Sequence, residues 1–588
     1  MYLRQNPNKD TGRIHLSIVD SYYDRDKKMS RQFTVEKIGY LDVMEKEHDD
    51  PIAHFTKRVE VLKAEKAAKK APVVIEFDPG ETIDKNSVYR KNFGYAVISR
   101  VYHELGIHTY LINKQRHSKE EYSANNIMKL LVNTRIISPS SKKKSFEEKE
   151  RYFENSDFSL DDVYRCLSLF ARNKNELLKR LHDNVASLYG RDTGQVYYDV
   201  TNYHFEIDGP VGYVRKKKGE EMRVPDDLRK KGVAKNHVPD PIVQMGMFID
   251  NNGFPITFDI FPGNTNDCMT YRPGLKKIKA DFGIRRSVVV ADKGINTSDN
   301  IWYTLSAKDG YVFSKSIRGA SAEFKRYILD EDGYEWIGTD YKKKSRRRPR
   351  TISVNSVNGK KIDKTVHEKQ VVFYSEKYKK RARAERDLVI AKARDMIANP
   401  ANYTRATSYG ASGYIMNVAF DKDTGEILPE VGKALELDTE KIKEAEKYDG
   451  YYMILTSEMH ESDERIIEIY RGLWKIEESF RIQKTDLGAR PIYVSTKEHI
   501  EAHFLTCFIS LLILRIIQMK TENRHSAGSI IESLGNAECT FLKQNFYLFD
   551  YSDDVLDDLG AAFNIDFSKR VRSISEIKNI FADTKKQK

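Results

Sequence analysis

Between residues 195 and 315 the sequence sets out a fixed order of elements, and that order limits the fold more than any other stretch. Val196-Tyr-Tyr-Asp-Val-Thr-Asn-Tyr-His-Phe205 is dense in β-branched and aromatic residues and reads as a strand. A basic polar stretch from Glu206 to Asp240 follows. Ile242-Val-Gln-Met-Gly-Met-Phe-Ile-Asp250 and Phe254-Pro-Ile-Thr-Phe-Asp-Ile-Phe261 then flank Asn251-Asn-Gly253, a hairpin signature. A helix from Met269 to Asp281 leads into Ser287-Val-Val-Val-Ala-Asp292, another helix starts at Ser298, and Tyr311-Val-Phe-Ser314 closes the series.

Strand, hairpin, helix, strand, helix, strand is the order of an RNase H-like mixed sheet, in which the first strand and the Asp292 strand are neighbours. Each carries an aspartate that needs a reason. Asp199 lies between Tyr198 and Val200, inside a strand, where Asp is depleted. Asp292 ends an apolar run at the carboxyl end of its strand, where ligand sites of open α/β sheets lie. A strand-end cap or a turn former is the plainer reading of either residue alone.

A third carboxylate is carried by Tyr470-Arg-Gly-Leu-Trp-Lys-Ile-Glu477-Glu-Ser-Phe-Arg-Ile-Gln-Lys484. At about 100° per residue, Tyr470, Glu477 and Lys484 line one helix face beside an apolar stripe of Leu473, Ile476, Phe480 and Leu487. The spacing predicts Glu477 at the edge of the buried face and Glu478 turned toward solvent. A carboxylate against a core needs a base or a metal ion as partner. A helix-edge ion pair with Lys is the bland alternative. Two strand aspartates and one helix glutamate supply the oxygen ligands of a paired Mg²⁺ site for phosphoryl transfer.

The bulk numbers bound the rest. At 588 residues the chain is too long for one core, and its hydrophobic content of 40% supports packed domains. A net charge of +12 suggests a polyanionic partner only weakly. Cys166, Cys268, Cys507 and Cys539 are scattered, which argues for a reducing compartment and against a disulfide frame or zinc ribbon. No apolar h-region marks the N-terminus, so a cytoplasmic location is expected. Phe504–Met519 is short for a membrane span and carries Arg515 and Gln518, so it reads as a buried helix, and no membrane is expected.

The expected organisation is α/β. A small β unit covers 1–45, a linker with an exposed helix 46–93, and a helical, DNA-binding region 94–190. The RNase H-like core comes in two parts, 191–318 and 456–525, interrupted by a mainly β insertion subdomain over 319–455. A helical tail occupies 526–588. The turn residues Asp78-Pro-Gly80 mark the linker.

Tyr198-Asp-Val-Thr-Asn-Tyr, Phe261-Pro-Gly-Asn-Thr, Val290-Ala-Asp-Lys-Gly and Tyr470 to Lys484, in this order, closely resemble bacterial insertion-sequence transposases of the DDE type. The branch resembled bears a Tyr-Arg-Glu-Lys signature and a β-rich insertion before the catalytic Glu, and the likeness covers roughly residues 95 to 520. It implies that Asp199, Asp292 and Glu477 bind Mg²⁺, with Mn²⁺ able to replace it, and cut DNA at transposon ends before joining the 3′-OH to target DNA. Double-stranded DNA is then the partner, as transposon ends and as target, and a homodimer is expected in the synaptic complex. Tyr470 and Lys484 occupy signature positions, where phosphate contacts are implied. The signature Arg falls at 473, where this chain has Leu473.

Other candidates are weaker. The cations of Lys342-Lys-Lys-Ser-Arg-Arg-Arg-Pro-Arg350, including Arg346, Arg347 and Arg348, could follow DNA phosphates or form an exposed loop. Lys216, Lys217 and Lys218, with Arg215 and Arg229 to Lys231, lie closer to the proposed site, and Arg481 follows Glu477 on its helix. Trp474 could stack on a base, although a core role is the commoner one. His499 and His503 sit at i, i+4, but Glu501 is misplaced for a zincin. No G-x-x-x-x-G-K occurs, so no nucleotide cofactor is expected. An RNase H-like nuclease that cuts without joining, and a DNA-binding relative with impaired catalysis, are the alternatives.

Overall fold

In the computed structural model the apolar run Val288–Ala291 lies mid-sheet with every residue buried, as its lack of polar alternation dictates. The structure describes residues 1–8, 12–24, 29–68, 80, 82, 85, 87–116, 120–206, 213–217, 220–224, 228–230, 241–356, 358–404, 407–408, 410–421, 426–429 and 434–586. They form two units, Met1–Ile83 and Asp84–Lys588.

The smaller unit is an antiparallel sheet of Tyr2–Pro7, Ile14–Asp24 and Met29–Tyr40, followed by the helix Pro51–Ala68. Asp20 is buried, and its hydrogen bond from Lys66 holds the carboxyl down at about 2. The turn expected at Asp78-Pro79 lies outside the described residues.

In the larger unit, nine strands of the described residues form one sheet. In chain order they are β1 (Gln195–His204), β2 (Ile242–Asp250), β3 (Pro255–Pro262), β4 (Val288–Ala291), β5 (Gly310–Ser314), β6 (Glu335–Ile337), β7 (Tyr341–Asn355), β8 (Lys361–Ser375) and β9 (Tyr451–Thr456). Their spatial order is β6-β7-β8-β9-β5-β4-β1-β2-β3. The pairs β1–β4 and β4–β5 are parallel, and every other neighbour is antiparallel. The Asp199 strand and the strand leading to Asp292 are thus adjacent, as the sequence order required.

Helices α1 (Asp267–Ala280) and α2 (Ser298–Ser306) supply the crossovers that two parallel pairings demand. The segment 319–455 divides between the central sheet and two small two-stranded sheets of its own, Ile415–Met416 with Glu436–Leu437 and Val418–Phe420 with Ile427–Pro429. Its hairpin β7–β8 and short β6 extend the central sheet beyond β9, and a 23-residue helix, α3 (Glu376–Ala398), follows. Once β9 returns to pair with β5, its other edge is open and β8 covers it.

Helices α4 (Asp463–Arg471) and α5 (Trp474–Arg481) pass into a π-helical turn at Ile482–Asp486, and α6 (Lys497–Lys520) runs through the core. α6 is long and apolar enough to cross a membrane, yet 89% of its apolar window is buried inside the protein. The helices expected in 94–190 form, among them Tyr95–Glu104, Ala124–Ile137, Leu160–Arg172 and Lys174–Tyr189. The C-terminal tail is not wholly helical. Glu538–Phe541, Phe546–Phe549 and Val571–Ser573 make a small sheet with Arg90–Asn92.

Candidate active site

Parallel register builds the site. The last paired residues of β1 and β4 are Tyr198 and Ala291, and those of β4 and β5 are Ala291 and Phe313. One step further along each chain come Asp199, Asp292 and Ser314, abreast at a strand spacing of about 4.8 Å. Both aspartates are half-buried. The Gly294 amide donates to Asp292 Oδ1 at 2.6 Å, which folds the chain into a tight turn as it leaves β4.

Alternation along β1 puts Asp199 on the same face as Tyr197, Thr201 and Tyr203. The α4–α5–π segment lies across that face. Gly472 allows the contact: a Cβ there would stand 2.1 Å from Tyr197 Oη. Lys475 sits 5.6 Å from the Tyr197 ring and donates to the Asn251 carbonyl at 2.6 Å. Further along, Tyr203 donates to Gln483 Oε1 at 2.7 Å. Lys484 bonds Thr201 Oγ1 and lies 5.3 Å from the Tyr203 ring. Asp199 falls between these anchors.

The single helix expected over 470–484 is divided at Gly472-Leu473, although both residues keep right-handed helical angles. The predicted apolar stripe is buried: Leu473, Ile476, Phe480 and Leu487 are 6%, 0%, 4% and 0% exposed. The two glutamates are reversed from expectation. Glu477 is exposed, whereas Glu478 turns inward to Arg515 of α6 at 2.9 Å. Arg515 also donates to Ser479 Oγ at 2.9 Å and to the Lys475 carbonyl at 3.3 Å, so it fixes α5 from behind.

Tyr470 links the carboxylates electrostatically. Burial pushes its phenol up to about 12, a hydrogen bond with Ser314 opposes this, and the charges of Asp292 and Glu477 reinforce it. Glu477 also adds, after the larger effects of Glu385, to the field that keeps Arg381 of α3 protonated. A fourth carboxylate is near: a Cβ at Gly294 would lie 3.0 Å from Asp292 Oδ1 and 3.9 Å from Asp267 Oδ2. It is missed from the sequence alone: Asp267 is the first residue of α1, capped by Asn266.

As donors, Asp199 and Asp292 suit a hard divalent cation. Among the described residues no three His, Cys, Asp or Glu side chains are gathered closely enough to hold a metal. His499 and His503 make no metal group. Burial lowers both, and His503 Nε2 lies 3.0 Å from the Ala489 carbonyl.

The cationic candidates divide. The run 342–350 is strand β7, and most of its charges are taken up internally. Lys342 lies within 5.5 Å of the rings of Tyr334, Trp336, Tyr374 and Tyr451, and it bonds Glu331. Arg346 stacks 3.8 Å over Tyr327, Arg346 and Arg348 both pair with Glu323, and Arg350 clasps buried Glu368. Arg347 faces outward and is exposed. Arg481 pairs with Asp486 at 3.2 Å. Trp474 is 55% exposed, which removes its core reading. Arg229 is buried, 5.6 Å from the Phe205 ring. Lys216 and Lys217 fall in the strand Tyr213–Lys217, but their side chains, like the whole of Lys218, Arg215's side chain and Lys231, lie outside the described residues.

Residues 241–513 match the family model of the transposase DDE domain. The matched span holds Asp292 and Glu477 and begins after Asp199, whose strand pairs on both sides with strands of that span. The match covers a little under half of the chain. Among solved structures, the piggyBac transposase synaptic complex with hairpin DNA matches at 7% identity and a TM-score of 0.33, over 85% of this chain and 86% of that one. At that score the likeness carries no argument about fold or function. No curated protein matches the chain.

Proposed function

We propose that this protein is a DNA transposase with an RNase H-like core, which cleaves the ends of an insertion sequence and joins them to target DNA. The observation that carries the reading is that Asp199, within β1, and Asp292, just past the end of β4, each come one residue after the parallel β1–β4 pairing ends, with the Glu477 helix anchored across the same face. The strand order β3-β2-β1-β4-β5 and its directions agree with an RNase H-like sheet.

Asp199 and Asp292 would hold a divalent cation, Mg²⁺ or Mn²⁺, with Glu477 as the third ligand of a metal pair. Such ions supply charge neutralisation at the phosphate and activation of the attacking oxygen. The chain's own groups do the remainder. Lys484, steadied by Thr201 and Tyr203, offers a cation beside the aspartates for a DNA phosphate. Tyr470 keeps its proton at neutral pH and can donate it in a hydrogen bond. Two DNA ends require two such sites, so a homodimer is part of the proposal.

The test combines purified protein, Mg²⁺ or Mn²⁺ and the gene's own flanking DNA in a cleavage and joining assay. Glu477→Gln is expected to abolish metal-dependent cleavage while DNA binding persists, and cleavage retained in that variant removes Glu477 from the site. Nicking without strand transfer would favour a nuclease, and binding without either an impaired relative.

A further inference from the structure

With the β7 run bound internally, exposed positive charge near the site concentrates elsewhere. The first two turns of α3 carry Lys377, Lys379, Lys380, Arg381 and Arg383, all exposed, against the single acid Glu376. The helix is firmly held from its other side. Tyr378 lies 5.0 Å from the Tyr452 ring, and Arg386 is buried in ion pairs with Asp449 and Glu446. Ala393 and Met396 seat its far end in a small apolar core with Ala411, Ile415 and Ile427. Tyr378, Ala382, Arg386, Val389 and Ala393 form the inner stripe at helical spacing, so Lys377, Lys380 and Arg383 project outward.

This surface adjoins the candidate active site. Tyr378 of α3 lies against Tyr452 of β9, two residues before Ile454, which pairs with Ser314 in the row of Asp199 and Asp292, and Arg381 on the same helix is 76% exposed. A lone surface cation cluster would be ordinary. One set rigidly beside the proposed active site matches a polyanion that must enter there.

We infer that the outward face of α3, through Lys377, Lys380 and Arg383, binds the phosphate backbone of duplex DNA flanking the bond to be cut. The inference rests on the transposase reading for its choice of polyanion. Lys379 and Arg381 are partly engaged by Glu376 at 3.8 Å and Glu385 at 2.8 Å, so the other three carry the contact. Backbone contacts of this kind position the duplex without reading its sequence.

The experiment measures binding of the full chain to a fluorescent duplex of its flanking DNA over a series of salt concentrations. The triple variant Lys377→Ala, Lys380→Ala, Arg383→Ala is compared with wild type. A charge-matched control carries Lys441→Ala, Lys443→Ala and Lys447→Ala, which are exposed and paired with acids of their own helix. The α3 variant is expected to bind at least about tenfold more weakly at moderate salt, with the slope of log K against log salt reduced by about 2 to 3. The control is expected to track wild type. Equal binding by wild type and the α3 variant overturns the inference and leaves the transposase reading standing, as does an equal loss in the control. Wild type that shows no salt-dependent duplex binding overturns both, while loss of the reading alone would appear as wild type that binds duplex through α3 but neither cleaves nor joins it.

Discussion

Asp199 and Asp292 stand abreast because each follows the last residue through which β1 and β4 pair, Tyr198 and Ala291. The sheet register places the residues just before them, and the Gly294 amide holds Asp292 as the chain turns out of β4. Asp199→Asn and Asp292→Asn are therefore expected to keep the fold, since Asn preserves shape and the Asp292 side chain can still accept from Gly294. Metal-dependent cleavage should fall by on the order of 100-fold or more in either. Unchanged cleavage rates in a single-turnover assay, with thermal unfolding as the folding check, would remove that aspartate from the chemistry.

Much of this arrangement is legible in sequence, and the parts that are not share a cause. The strand carrying Asp199 and the one ending at Asp292 announce themselves through β-branched runs, and the element order makes them neighbours. The inward turn of Glu478 rather than Glu477 could not be read, because both flank the same apolar stripe. What decides between them is Arg515, on a separate buried helix. The cations of 342–350 looked available for DNA because their partners, Glu323, Glu331, Glu368 and the tyrosine rings, come from other elements. Local pattern gives elements and faces, while long-range pairing decides which charges remain for a ligand.

Gly472 lets α4 and α5 lie directly on Tyr197. Gly472→Ala places a methyl 2.1 Å from Tyr197 Oη and 2.7 Å from Cζ, with the backbone of both elements fixed. Destabilisation of about 1–3 kcal/mol is expected from such overpacking, measured by urea unfolding. Tyr197→Phe in the same chain should recover part of the loss, because it removes the nearer atom. Additive effects in the double-mutant cycle would show that the two residues do not press on each other.

Leu473 occupies the position where the resembled signature has Arg, and it is 6% exposed in the core. Leu473→Arg should therefore not repair a missing phosphate contact. It should cost about 3 kcal/mol or more by burying a charge with no partner. A variant of unchanged urea midpoint and higher strand-transfer rate would contradict this placement.

Three buried histidines set an acid limit on stability. Burial lowers His103 to about 3 and His182 to about 4, with Lys129 and Arg191 respectively adding to it, and holds His503 well below its ordinary value. Each stays neutral in the folded chain but takes up a proton below about 6.5 when unfolded. The unfolded state then binds more protons, so stability is full above pH about 6.5 and falls as pH drops toward 4. The slope reaches about 1.4 kcal/mol per pH unit for each histidine. Urea midpoints from pH 7.5 to 4.5 measure it, and His182→Asn should flatten the curve. A midpoint independent of pH over that range would contradict the burial of these rings.

Trp474 separates packing from recognition. It lies one turn before Glu477 and is 55% exposed, so truncation removes little buried apolar surface. Trp474→Ala should shift the unfolding free energy by no more than about 0.5 kcal/mol, as for surface changes in general. A ring left in solvent beside the proposed catalytic glutamate is available to stack on an unpaired base, a contact of about 1–3 kcal/mol per base. The variant should thus lose affinity for DNA with unpaired bases at the cleavage site by about 5- to 150-fold, and lose much less for fully paired duplex. A large stability loss would return Trp474 to a packing role, and equal affinity for both DNA forms would deny it the stacking one.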